Sequence, residues 1–206
     1  MLLNNSAELI PSDGRMISVK EPTDEEFNLF RKLVLEDLGM EWGEDKKYLL
    51  YSRVQKILRA HQFESFQSYY DYIAREENRK ERQLLYNEVT TTKSGFYREK
   101  QHFKFLRENV FTEMKEHKSN LYSKLRFWSA GCSSGEETYT LAMEAHDFFG
   151  TARISNGGLR ILGSDVNTGV LESAIKGCYT EEQFSTIPAP LQKRFIVPAT
   201  VGNNTL

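Results

Sequence analysis

Residues 129–137 read SAGCSSGEE. Gly131 and Gly135 stand among small residues, after the strand-like run KLRFW and before the amphipathic run EETYTLAMEAHDFFG, which Gly150 closes. A strand that stops in a side-chain-poor loop and restarts as a helix leaves few options for the fold. The first turn of that helix has N–H groups without intrahelical partners, and glycine lets main chain come close to a ligand. A second apolar strand follows in GLRILGSDV, then a helix, TGVLESAIKG, that Asn167 can cap and Gly177 ends. Strand, long crossover and strand predict a parallel, right-handed pair. The expected fold class is α/β, the start of a Rossmann-like sheet whose ligands lie beyond the carboxyl ends of the strands.

The loop chemistry narrows the ligand. Its spacing is G-x-x-x-G rather than the G-x-G-x-x-G of dinucleotide sites, and no lysine follows the second glycine as in a P-loop. Glu136 stands where a pyrophosphate would lie and would repel it. A ligand with a cationic or hydroxyl-rich part suits the loop better, and S-adenosylmethionine has both. Asp165, which ends the second strand, can accept hydrogen bonds from ribose hydroxyls. Plainer readings stand beside these. Ser133 and Glu136 have capping-box spacing, and Asp165 can simply start a turn. Cys132 has no histidine beside it in sequence and reads as a small packed residue rather than a reactive thiol. The four histidines have no ligand spacing, so no metal is expected.

Before this region the grammar is helical. Residues 1–21 carry no anchoring pattern and read as a flexible amino terminus; residues 22–88 read as an all-helical domain and 89–206 as a separate α/β domain. Thr23 and Glu26 form a capping-box signature, Phe27, Phe30, Val34 and Leu38 recur at helical spacing, and Gly39 can end the helix. In DKKYLLYSRVQKILRAH, Leu50, Tyr51, Val54, Ile57 and Leu58 share one arc, and Lys46, Arg53, Lys56 and Arg59 the opposite one. That basic stripe is either a solvated face or a docking surface for an acidic partner. SFQSYYDYIARE and NRKERQLLYNEV are two more helical patterns. Further on, EKQHFKFLRENVFTEMKEH predicts one amphipathic helix with Phe103, Leu106, Val110, Phe111 and Met114 on its apolar side.

Composition sets the outer limits. A net charge of −2 over 206 residues argues against a chain that wraps nucleic acid. No apolar run approaches the ~20 residues of a membrane span, and MLLNNSAELIPSDGR is not built like a secretory signal. Two cysteines make neither a disulfide framework nor a zinc site. A cytoplasmic location is expected.

Three stretches together, TTTKSGFYRE (90–99), FWSAGCSSGEETYTLAM (127–143) and ILGSDVNTGVLESAIKGCY (161–179), resemble the CheR family of chemotaxis receptor methyltransferases. The segments TDEEFNLFRKLVLEDLGMEW and KKYLLYSRVQKIL are similar to the family's amino-terminal helical domain, so the resemblance covers roughly residues 22–200. It implies a small all-α domain followed by a Rossmann-like domain that uses S-adenosylmethionine, with S-adenosylhomocysteine as product. It implies glutamate side chains on the cytoplasmic helices of chemoreceptors as substrates; the segregated basic stripe of helix 46–59 is then the expected docking surface for them, and a monomer is expected at full length. Carried over by position, Thr92, Ser94 and Arg98 line the cofactor and reaction site, and Glu136 and Asp165 bind the cofactor. Arg98 is the candidate for orienting a carboxylate through its planar fork; the alternative is a surface contact with Glu99 or Gln101.

Some positions depart from the family pattern. Thr92 stands where asparagine is frequent, and Thr138 where proline is frequent. The family's antiparallel β-subdomain, its Asn-Leu pair and its Cys-Arg-Asn…Ile-Tyr-Phe segment have no counterpart in these residues, so the chain reads as truncated. Residues 1–206 alone are expected to show little methyl transfer. A catalytically silent cofactor- or protein-binding signalling module is the alternative, and a methyltransferase for another substrate is a third reading.

Overall fold

The computed structural model describes residues 18–116, 125–154, 158–201 and 204–205. The chain divides into two compact units, 1–90 and 91–206.

Among the described residues of the first unit the regular elements are helices: α1 (Asp24–Leu38), α2 (Lys47–Ala60), α3 (Phe66–Ile73) and α4 (Arg79–Val89), with two short 3-10 turns between them. Both halves of the capping box form at α1, and Gly39 ends it in the left-handed region at φ 67°. Glu26 serves two helices. One of its oxygens accepts from the Thr23 N–H at 2.8 Å, the other from the Gln67 N–H of α3 at 2.9 Å. The core is aromatic at its centre. Phe30 is fully buried and meets Phe66 edge-on at 6.0 Å and Tyr70 at 5.6 Å. Leu50, Val54 and Leu58 of α2 are fully buried, on the apolar arc that the sequence predicts.

The opposite arc of α2 is less free than its charge pattern implies. Arg53 is half-buried and donates to the main-chain carbonyls of Glu88 at 2.9 Å and Thr90 at 3.0 Å. It satisfies acceptors that a helix end leaves unpaired, and it fixes the last residue of the unit. Lys56 pairs with Glu88 at 2.6 Å, while Arg59 is exposed. Of the amino terminus expected to be flexible, residues 1–17 lie outside the described residues. Val19 does not fit that expectation, because it is 4% exposed and packs into the helical core.

In the second unit, β1 (Leu125–Ala130) and β2 (Leu159–Ser164) pair in parallel, Leu125 against Leu159 through Ala130 against Ser164. The helix between them, α7 (Glu136–Phe149), follows the glycine loop directly. Leu125, Ala145, Phe149 and Phe111 form one buried cluster on the covered sheet face. On the other face the register partners Trp128 and Leu162 are 69% and 62% exposed. The short helices α8 (Thr151–Ile154), α10 (Glu181–Phe184) and α11 (Ala189–Phe195) have no counterpart in the sequence reading, whereas α9 (Thr168–Lys176) is capped by Asn167 as expected. Two residue pairs, Thr200–Val201 and Asn204–Thr205, form a minimal antiparallel ladder.

The amphipathic helix before β1 departs from the expected single α-helix. It runs as α5 (Lys100–Phe105), a π-helical stretch (Leu106–Phe111) and α6 (Thr112–Glu116). The Thr112 hydroxyl donates to the Arg107 carbonyl at 3.1 Å within the widened turn. Arg107 sits in that turn and reaches two carboxylates of α7, Glu144 at 3.0 Å and Asp147 at 2.7 Å. No helix of the described residues is long and apolar enough to cross a membrane.

Candidate functional site

The site is built where both strands end. The Gly131 and Cys132 N–H groups donate to the one carbonyl of Ser164, at 2.8 and 2.9 Å. The Ser133 N–H donates to Asp165 Oδ2 at 2.8 Å, and the Asn167 N–H to Asp165 Oδ1 at 2.8 Å. Every main-chain donor from 131 to 133 is thereby held by the end of β2. The loop is no phosphate cradle, in line with its missing lysine. Asp165 performs the plain turn-starting role and more: it closes its own turn and clamps the glycine loop, while each half-buried carboxylate oxygen keeps capacity for a further hydrogen bond.

The capping box read from Ser133 and Glu136 does not form. Gly135, not Ser133, is the residue before α7, and no side chain caps it. Ser133 is in the left-handed region at φ 50°, and its hydroxyl donates to the Thr92 carbonyl at 2.8 Å. That bond joins the TTTKSGFYR turn to the loop. Thr92, Ser133 and Asp165 thus form one connected set. Cys132 is buried, and burial followed by the charge of Asp165 pushes its thiol above the ordinary value, which keeps it protonated and inert.

The two loop glycines have different surroundings. Gly131 has φ 72°, and a side chain there would project into open space. Gly135 has φ 96°, and a Cβ there would lie 2.9 Å from Ala174 Cβ, 3.0 Å from the Tyr179 hydroxyl and 3.1 Å from Ala174 Cα. Gly135 lets the loop lie against α9; Gly131 leaves main chain bare toward the outside.

The adjacent glutamates also part ways. Glu136 is 2% exposed, with both carboxylate oxygens accepting from the Ser134 hydroxyl at 2.9 and 2.8 Å. Glu137 is exposed and accepts from the Ser129 hydroxyl at 2.6 Å. With Arg98, His102, Phe127 and Trp128 it lines a cavity of about 490 Å³ along β1. The sequence singles out Glu136 and is silent on the cavity-lining Glu137. The only available signal was the doubled acid after Gly135, and the helix phase that separates the two is set by the three-dimensional packing of Gly135.

Arg98 belongs to a strained turn. Tyr97 and Glu99, on either side of it, have φ 51° and 56°, each a conformation that costs roughly 1–2 kcal/mol for a non-glycine residue. The Arg98 guanidinium donates to the Lys93 carbonyl at 2.7 Å and is otherwise exposed at the cavity. Ser94 is half-buried in the same turn. Arg98 lines the cavity along β1, and Asp165 is not among that cavity's lining residues. Among the described residues no group of three or more His, Cys, Asp or Glu gathers as a metal site.

Comparison with known proteins gives a consistent pattern. Residues 25–90 match the family profile described as CheR methyltransferase, all-alpha domain, and residues 92–205 match CheR methyltransferase, SAM binding domain. The chain is 35% identical to chemotaxis protein methyltransferase 2 of Pseudomonas aeruginosa over 181 residues, which is 88% of this chain and 61% of that protein. It is 31% identical to the chemotaxis protein methyltransferase of Borreliella burgdorferi, over 84% of this chain and 62% of that protein. Against the Escherichia coli chemotaxis protein methyltransferase the identity is 30%, over 84% of this chain and 57% of that protein. The chain spans about three fifths of the length of these relatives.

Proposed function

We propose, because this chain belongs to the CheR methyltransferase family, that it carries the helical unit and the cofactor-binding part of a protein-glutamate O-methyltransferase acting on chemoreceptors. The observation that carries the reading is the Thr92–Ser133–Asp165 set at the carboxyl ends of two parallel strands, beside a glycine whose outward space is open. S-adenosylmethionine fits these residues. Asp165 has lone pairs left for ribose hydroxyls, Gly131 admits close main-chain approach, and the loop offers nothing that demands a phosphate.

Bound there, the cofactor supplies an activated methyl group; what remains for the protein is alignment. A substrate glutamate has a pKa near ~4.3 and is already a nucleophilic anion at neutral pH, so no strong base is needed. Arg98, at the cavity mouth, holds a carboxylate in line by a charge-assisted pair. Positioning of this kind is a large source of rate in a two-substrate reaction. Thr92 and Ser94 shape the turn that presents Arg98, and Glu136, held in the loop by the Ser134 hydroxyl, is with Asp165 the acid proposed to bind the cofactor. The acidic receptor helices dock on the exposed basic residues of α2, and the whole protein works as a cytoplasmic monomer.

The test is methyl transfer from labelled S-adenosylmethionine to receptor cytoplasmic fragments, read as base-labile label on glutamate. Arg59→Glu combined with Lys46→Glu, the half-buried lysine just before α2 that pairs with Asp45 at 3.3 Å, is expected to raise KM for receptor and flatten its salt dependence at unchanged kcat. Arg53→Glu is the contrasting variant: it frees the carbonyls of Glu88 and Thr90 and is expected to lower the stability of the helical unit. Cofactor binding without any glutamate methylation would instead favour the silent signalling module. A KM indifferent to both charge reversal and ionic strength would remove α2 as the docking surface.

A further inference from the structure

We propose that Glu144 and Tyr97 are positioning residues that set the geometry of Arg98; the inference rests on the reading of Arg98 given above. Tyr97 stands in the left-handed region immediately before Arg98, where the backbone would relax if released. Two residues one helical turn apart on α7 hold it there. Thr140 Oγ1 accepts from the Tyr97 N–H at 3.4 Å, and Glu144 Oε1 accepts from the Tyr97 hydroxyl at 2.7 Å. The grip therefore acts on both main chain and side chain of one residue.

Glu144 is itself held. It is 7% exposed, and its second oxygen accepts from Arg107 Nη1 at 3.0 Å. Arg107 Nη2 donates to Asp147, whose other oxygen meets Arg194 of α11 at 3.4 Å. On the other side, the Thr140 hydroxyl donates to the Glu136 carbonyl at 2.7 Å, in the first turn after the glycine loop. A chain of bonds thus runs from the loop beside Asp165, through α7, to the turn of Arg98. Packing alone gives no reason for a carboxylate here. A buried charge is costly to desolvate, and an apolar side chain of similar size would often serve stability as well or better. What the carboxylate adds is direction, because it accepts the phenol hydrogen at one place. Burial, then the hydrogen bond to Glu144 and its charge, push the Tyr97 phenol far above its ordinary value of 10.0, so the hydroxyl stays a donor. The π-helical turn has a purpose in this arrangement: it is the stretch from which Arg107 reaches Glu144 and Asp147.

The experiment is a double-mutant cycle in the whole protein with Tyr97→Phe, Arg98→Ala and the pair. Three quantities are read: S-adenosylhomocysteine affinity by calorimetry, kcat/KM for receptor glutamates, and amide exchange of residues 93–99 without cofactor. Tyr97→Phe keeps the ring and its contact with Phe103, so the fold should survive. It is expected to lower kcat/KM about tenfold and to speed exchange in the 93–99 turn alone. In the Arg98→Ala background the same change should alter kcat/KM by less than about twofold, because its route of action is gone. Glu144→Gln keeps an acceptor for the phenol and is expected to retain more activity than Glu144→Ala. Equal losses from Tyr97→Phe in both backgrounds overturn the positioning role and leave the site reading intact. A silent Arg98→Ala overturns the site reading, and the inference with it.

Discussion

Alanine in place of Gly135 is expected to destabilise the second unit by ~2–5 kcal/mol. Two causes add. The backbone at φ 96° admits a side chain only with strain, and the new Cβ would press on Ala174, a helical residue of α9 whose main chain lies 3.1 Å away and cannot swing aside. Gly131→Ala makes the matching comparison. Its φ is also positive, but the added methyl meets nothing within 4 Å, so only the conformational cost of ~1–2 kcal/mol applies. The methyl would instead fill the open space proposed above for the cofactor. Gly131→Ala is therefore expected to fold and bind cofactor weakly, and Gly135→Ala to lose stability first. Urea unfolding of the two variants beside S-adenosylhomocysteine titrations separates the effects, with the shift read as a change in midpoint at constant slope. Gly135→Ala with the midpoint of the parent would mean that α9 does not lie against the loop.

Asp165→Ala is expected to cut affinity for S-adenosylmethionine and S-adenosylhomocysteine by about 10- to 100-fold, since a hydrogen bond to a charged group contributes roughly 1.5–3 kcal/mol. The loss has two parts. Ligand contacts disappear, and the N–H groups of Ser133 and Asn167 lose their acceptor, which loosens the loop. Asp165→Asn splits them. Its remaining carbonyl can serve one of the two N–H groups but not both, so it should recover part of the stability and little of the affinity. Calorimetry on both variants checks this, and parental affinity in Asp165→Ala would remove the aspartate from the site.

What the sequence disclosed of this architecture is what local rules govern. The Thr23–Glu26 capping box, the left-handed Gly39 and the Asn167 cap all formed where their residues stand, because each needs only its own neighbours. The parallel β1–β2 pair followed from the length of the crossover between two apolar runs. Ser133 was misleading for the opposite reason. Its spacing to Glu136 satisfied a local rule, yet its hydroxyl found the Thr92 carbonyl forty-one residues away. Arg53 looked like one member of a free basic stripe until its acceptors at Glu88 and Thr90 were in view. The π-helical turn at Leu106–Phe111 has no composition of its own, and the bonds of its Arg107 to Glu144 and Asp147 join it to a distant helix. Tertiary partners decided each of these, and a single sequence does not display them.

The chain has two tryptophans, and the division of the chain gives one to each unit. Trp42 is 4% exposed and stacks on Phe27 at 6.3 Å in the helical core. Trp128 lies on the open sheet face, its indole N–H donating to the Ser164 hydroxyl at 3.0 Å. Their emission should therefore be spectrally distinct, with Trp42 contributing the blue part and Trp128 a red, quencher-accessible part. Unfolding of the helical unit would move the spectrum to longer wavelength. A molecule settling over the sheet would shield Trp128 from a soluble quencher and leave Trp42 unchanged. The protein thus carries an intrinsic optical reporter for each half, readable without labels and assignable with the single replacements Trp42→Phe and Trp128→Phe.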